Sequence, residues 1–337
     1  MQATSHTDLD NRSNQNEQEN IIGNCLKVLT YESSMKGEWN DFVRNAKNSH
    51  FFFIRNYMEY HSDRFKDNSL LIYNDKEKLI ALLPANRVET TLYSHQGLTF
   101  GGLIVSDSMK VVTMLEIFDA LKIYFKNNGI TKLIYKALPY IHHIKPAEED
   151  RYALFRNNAT KICCEVNATI TLDEPVKYSH GRKWSINKAK TEGMSLEESR
   201  EFSSFWKLLE QVLNEQHGAK PVHNLAEIEM LANAFPKNIK LFTASKNGEL
   251  LAGAVIYENK KIAHLQYVAN GELGRQIGAL DLLIDHLIQV EYKDKKYFNF
   301  GISNEQCGRV LNDGLIDQKE RFGARAVAYD TYEWIID

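Results

Sequence analysis

The chain has 337 residues, with 41 Lys and Arg against 44 Asp and Glu, for a net charge of −3. Hydrophobic residues are 43% and charged residues 25% of the total, the balance of a globular protein. The near-neutral charge argues against DNA binding or any dominant nucleic-acid role, which draws on clustered Lys and Arg. No apolar run approaches the roughly 18 residues of a membrane span.

The start, MQATSHTDLDNRSNQNEQEN, has no apolar stretch like that of a secretory signal. A cytoplasmic location is expected, with residues 1–29 as a polar, disordered tail. Four cysteines (Cys25, Cys163, Cys164 and Cys307) form no CxxC pair. They read as reduced thiols, with no metal site. At roughly 150 residues per domain, the length predicts two domains.

The first passage opens with a helix at 36–47 that carries Trp39, Phe42, Val43 and Ala46 on one face, then a helix at 54–66. A hairpin follows: SLLIY, a turn at Asn74-Asp75-Lys76, and KLIALLPA. After the glycine-rich HQGLTFGGLIV comes a helix at 109–127, closed by Asn128-Gly129, and the strand KLIYKAL. The second passage repeats this order. It has a helix at 200–216, a capping box at Asn224 and Glu227, and a hairpin turning at Asn247-Gly248. The strand KIAHLQYVA, the loop NGELGRQIG, a helix at 279–290 and the strand KYFNFGI come next. A last helix and the strand ARAVAYDTYEWII close the chain. Trp39 and Trp206 are 167 residues apart, Leu70 and Lys240 170, and Tyr135 and Phe300 165. A pattern repeated at one spacing points to duplication.

This order resembles that of the GNAT acyltransferase fold, and two units in tandem resemble its Fem-type branch, whose known members transfer amino acids onto peptidoglycan precursors. RKWSINKAKTEG (182–193) is similar to the basic helix that opens the second Fem unit. DQKERFGAR (317–325) is similar to the terminal Phe-Lys-x-x-Phe-Gly segment, with Gln318 in place of the usual Phe. YSHQGLTFGGLI, PAEEDRYALF and YFNFGIS resemble GNAT proteins of bacterial O-antigen and capsule gene clusters. The resemblance implies an α/β fold with mixed, mostly antiparallel sheets. It places an acceptor domain at 30–172 and an acyl-donor domain at 173–337.

The loop 271–278 is the expected donor site. Glycines let the backbone approach a pyrophosphate, and a helix N-terminus favours the anion. Gly274, Arg275, Gln276, Ile277, Gly278 and Ala279 are assigned to acyl-CoA, with Gln266 on the strand before them. Arg275 and Gly278 fit the GNAT motif, whereas Leu280 stands where a small residue belongs. An ordinary strand-to-helix turn would explain the same glycines.

His264 is the expected general base, since a neutral imidazole accepts the ammonium proton near working pH. His217 is the second choice, Ser303 is a proton donor or a helix cap, and Tyr267 lies on the same strand as His264. His95, Thr99 and Gly101 are expected to wall the acceptor cleft, with His223 in an acceptor-binding loop and Lys319 and Arg182 on phosphate.

The resulting expectation is an N-acyltransferase that moves an acetyl-like group from acyl-CoA to a nucleotide-linked amino sugar in surface-polysaccharide synthesis. The alternatives are a Fem-like aminoacyl-tRNA-dependent transferase and a non-catalytic module that binds an acyl carrier.

Overall fold

A computed structural model describes residues 26–337. The tail expected over 1–29 lies mainly outside the described residues, and its last residues join the first strand.

The first half holds β1 (Lys27–Thr30), α1 (Lys36–Asn45), the short α2 (Arg55–Met58), β2 (Leu70–Tyr73), β3 (Leu79–Leu83), β4 (Asn86–Val88), β5 (Thr91–Tyr93) and β6 (Ile104–Val105). It continues with α3 (Val111–Asn127), β7 (Lys132–Lys136), α4 (Glu149–Arg156) and β8 (Thr160–Thr171). The second half holds α5 (His180–Lys190), β9 (Ser195–Ser199), α6 (Phe202–His217), α7 (Leu225–Ala234), β10 (Ile239–Lys246), β11 (Glu249–Glu258) and β12 (Ile262–Asn270). Then come α8 (Glu272–Ile277), α9 (Ala279–His286), β13 (Tyr297–Ile302), β14 (Asn304–Glu305), β15 (Val310–Leu311), α10 (Asp313–Glu320) and β16 (Arg325–Ile335).

Both predicted hairpins form, but in different sheets. β2 and β3 belong to a four-stranded sheet in the order β1-β2-β3-β6. β10 and β11 belong to a ten-stranded sheet in the order β4-β5-β7-β16-β8-β13-β12-β11-β10-β9. That sheet is continuous across both halves. β16 lies between β7 of the first half and β8, antiparallel to each. β8 in turn pairs with β13 of the second half.

The capping box at the start of α7 is present, with Glu227 N donating to Asn224 Oδ1 (2.9 Å) and Asn224 N to Glu227 Oε2 (2.9 Å). The helix expected at 54–66 is much shorter. Arg55, 2% exposed, holds Glu59 (3.1 Å) and Asp67 with its guanidinium, and this folds the chain back after His61. The largest core cluster joins the halves: Phe51, Phe52, Phe53 and Phe100 pack with Phe205, Trp206, Tyr257 and Tyr329. Burying side chains of this size is worth about 2–3 kcal/mol each, so the two halves share one interior.

Candidate active site

Parallel strands β12 and β13 pair only from Ile262↔Tyr297 to His264↔Asn299. Beyond His264 they part, so β12 has no ladder partner on the β13 side. A bulge accompanies the split. Val255 of β11 faces Tyr267 and Ile256 faces Leu265, which leaves Gln266 as the extra residue. On β13, Gly301 has φ +77°, a left-handed conformation that favours glycine, and a Cβ there would lie 3.6 Å from the His264 ring. The result is a V-shaped opening with free backbone groups on one wall and His264 at its apex. Such free N–H groups can polarise a carbonyl placed between the strands.

The tautomer of His264 follows from its neighbours. Asn299 Nδ2 donates to Thr169 Oγ1 (2.7 Å) and to Asn167 Oδ1, so Asn299 Oδ1 is an acceptor. It receives Gly301 N (3.1 Å) and His264 Nδ1–H. His264 Nε2 is then the unprotonated nitrogen, free to take a proton. Burial lowers the His264 pKa to about 4, and the nearby Lys319 adds to the effect. The ring is therefore neutral at pH 7.

Lys319 does not reach outward toward phosphate. Its Nζ donates to Gly301 O (3.0 Å), Ile302 O (2.5 Å) and Ser303 Oγ (2.9 Å), and burial lowers its pKa to about 8. All three N–H groups are spent on one wall of the V. Ser303 is not a helix cap, because Asn304 and Glu305 pair as β14 with β15. The cap of α10 is Asn312, whose Oδ1 accepts from Leu315 N (3.0 Å).

The segment 271–278 differs from its expected form. It is the helix α8 rather than an open loop. The N–H of Arg275 donates to Gly271 O (2.9 Å), and the N–H of Gly278 is spent on Gly274 O. The Arg275 guanidinium turns back to Asn270 O (2.8 Å). At the N-terminus of α9, Asp281 stands in the first turn and is gripped by Arg182 and by Ser185 Oγ (2.7 Å). A carboxylate thus sits at the end of α9 where an anionic ligand was expected. Helix α5 covers the turn, since a Cβ at Gly278 would meet Ser185 (3.2 Å) and Ala189 (3.3 Å). The groove beside Gly271 and Gly274 carries Glu249 and Glu272, which repel phosphate. In this conformation Gly274, Arg275, Gln276, Ile277, Gly278 and Ala279 do not fit a pyrophosphate. Arg182 is likewise committed, paired with Asp281 and stacked 4.1 Å from the Phe322 ring.

In the first half, His95 is buried at φ +70° and stacked on His61 (5.0 Å), and burial lowers its pKa to about 3. Gly101 lies so close to the Ser94 carbonyl that a Cβ would overlap it at 1.9 Å. Thr99 is exposed. His223 bridges the halves, joined to Tyr60 Oη (2.8 Å) and Tyr267 Oη (2.5 Å). Burial lowers the His223 pKa to about 4 and raises that of Tyr267 to about 12. This makes Tyr267 part of an inter-half clamp rather than a reacting group. His217 ends α6, and its side chain lies outside the described residues.

The sequence reasoning missed Asn299, Asp281 and a buried histidine pair, His50 and His142 (ring centroids 5.3 Å apart), close enough to His264 to lower their pKa values. Asn299 had a signal: a polar residue flanked by phenylalanines in YFNFGI has to find partners inside the sheet. Among the described residues no group of three His, Cys, Asp or Glu is placed to hold a metal ion, and no helix is long and apolar enough to cross a membrane.

Residues 184–306 match the model of the acetyltransferase (GNAT) domain. The fold is GNAT-like. The match marks the chain as an acyltransferase, with its GNAT domain in the second half. No curated protein matches the sequence.

Among solved structures, FemX is similar with a TM-score of 0.66 at 10% identity, over 92% of this chain and 97% of FemX. A conserved protein of unknown function from Bacteroides thetaiotaomicron gives 0.57 at 9% identity, over 91% and 98%. L-PGS from Bacillus licheniformis gives 0.52 at 15% identity, over 79% and 83%. At these identities the likeness is one of fold.

Proposed function

We propose that the chain is an N-acyltransferase whose reacting centre is the V between β12 and β13. The observation that carries this reading is the His264–Asn299 bond at the apex, which fixes a neutral imidazole with its free nitrogen beside unpaired strand backbone. The acyl carbonyl sits in the V, where free β12 N–H groups stabilise the developing oxyanion. His264 Nε2 takes a proton from the acceptor ammonium, and the free amine attacks. The new C–N bond forms, the bond to the leaving group breaks, and the second proton shed by the nitrogen passes through Ser303, with Lys319 behind it, to the departing atom.

The acceptor we favour is an amine of a nucleotide-linked amino sugar, and the donor a small acyl thioester such as acetyl-CoA. The acceptor reading rests on the resemblance to polysaccharide-cluster proteins. The domain halves, acceptor at 30–172 and donor at 173–337, are part of the same proposal.

A second reading has an observation of its own. The spent amides of α8 and the Asp281 carboxylate leave no pyrophosphate seat at the expected turn. An aminoacyl-tRNA or an acyl-carrier protein needs no such seat.

The test is product detection by mass, with purified protein, a panel of nucleotide amino sugars, and acetyl-CoA or charged tRNA in separate reactions. Acetylated sugar with release of free thiol supports the first reading. Ribonuclease-sensitive transfer of an amino acid supports the second. No transfer from any donor with wild-type protein overturns both, and transfer that is unaltered in His264→Ala overturns the placement of the reacting centre.

A further inference from the structure

A cavity of about 500 Å³ opens where the halves meet, at the far end of β12 from the α8 turn. Its rim comes from the start of β10, the β11–β12 turn and the start of β13. Those three positions carry Lys237, Lys260, Lys261 and Lys295. Lys295 is paired with a carboxylate, whereas Lys237, Lys260 and Lys261 form no ion pair among the described residues. Glu258, the acidic residue in the lining, is already shared between Lys295 (3.2 Å) and Lys240 (3.3 Å). Lys261 Nζ donates to the His143 (2.8 Å) and Ile144 (2.6 Å) carbonyls and faces no carboxylate. Its pKa is lowered by burial and by its neighbours Lys296 and Lys260, as expected where like charges crowd. Lys237 and Lys260 are exposed.

The inner wall supplies a directed donor. His50 Nδ1 accepts from Phe52 N (3.2 Å), which puts the ring proton on Nε2. Burial lowers the His50 pKa to about 3, so the ring stays a neutral donor. His142, 3% exposed and also in the lining, keeps a buried Nδ1 with no hydrogen-bond partner. Its Nε2 is bonded to Tyr329 Oη (3.0 Å). Phe51 and Phe235, with centroids 5.7 Å apart, give the cavity an apolar side. Clustered ammonium groups, a fixed ring N–H donor and an aromatic wall in a cavity of this volume match a small phosphate-bearing molecule with a flat apolar part.

We propose that this inter-half cavity is a binding site for a phosphate-bearing small molecule of the nucleotide class, separate from the α8 turn. It does not depend on the acyl-transfer reading. The two histidines on its wall lie close to His264.

The test is calorimetric titration of the full chain with uridine diphosphate, with inorganic pyrophosphate and with uridine, each at low and high salt. Saturable binding of the diphosphate that weakens at least tenfold in Lys237→Glu/Lys260→Glu is expected, with an unchanged melting temperature because both side chains are exposed. Binding of pyrophosphate alone to the same affinity would assign the site to free phosphate rather than to a nucleotide. A Lys122→Glu variant, on the remote helix α3, is expected to bind as wild type. No saturation by any of the three probes, or equal affinity in the double variant, overturns the proposal, whether or not acyl transfer is found.

Discussion

His264 and Asn299 are neighbours on adjacent parallel strands at the last rung before those strands part, and one hydrogen bond between them sets the protonation pattern of the imidazole. If His264 is the base, His264→Ala lowers kcat by about 100-fold or more and leaves the acceptor KM nearly unchanged. Steady-state rates with saturating donor read this. A variant with wild-type kcat would move the base elsewhere.

The latch over the α8 turn gives an opposite pair of expectations. Arg275→Ala leaves the donor KM where it was, because its guanidinium bonds the chain's own Asn270 carbonyl. Arg182→Ala leaves Asp281 half-paired in a mostly buried place and lowers stability by about 2–4 kcal/mol. Urea titration measures the second effect and donor saturation curves the first. A large rise in donor KM in Arg275→Ala would restore the turn as a donor site.

The inter-half clamp is open to the same treatment. Tyr60→Phe removes the partner of His223 Nε2 and is expected to cost about 1 kcal/mol. The adjacent ion pair Arg64–Glu227 (2.7 Å) couples to it in a double-mutant cycle, since both span the same seam. Strict additivity of the two changes would show the contacts to be independent.

Acid should weaken the fold earlier than is usual. Burial lowers the pKa of His50 and His95 to about 3, and of His143 and His223 to about 4. Their unfolded forms titrate near 6.5. Between about pH 6.5 and 4 the unfolded chain binds more protons than the folded one, so stability falls as pH drops through that window. Each such group contributes up to about 1.4 kcal/mol per pH unit. Urea midpoints at pH 7, 6 and 5 should decline progressively, and a flat series would contradict the buried neutral histidines.

Much of the fold was legible in the sequence because it is written in local periodicity. The 3.6-residue stripe of α6, the Asn224 capping box and the Asn247-Gly248 turn each depend on a few neighbouring residues. The active-site details were less legible because they depend on long-range pairing. Nothing local says that Asn299 meets Asn167 and Thr169 more than 100 residues away, or that α5 lies over Gly278. The α8 segment misled for a physical reason: Gly271 and Gly274 suit a phosphate loop, but they equally suit a helix packed against the Leu251 carbonyl. The basic cavity was hidden because its lysines sit in three separate turns and converge only on folding.

The position of β16 between β7 and β8 means that spatial order and chain order disagree at the centre of the sheet. A cut after residue 172 would yield two fragments, and the first would lack the strand that covers β7 and one edge of β8. The pieces should therefore be incompetent when made apart and should recover on mixing, as strand 325–335 slots back into the vacant groove. In engineering terms, the chain is a natural candidate for fragment complementation and a poor one for dissection into autonomous modules.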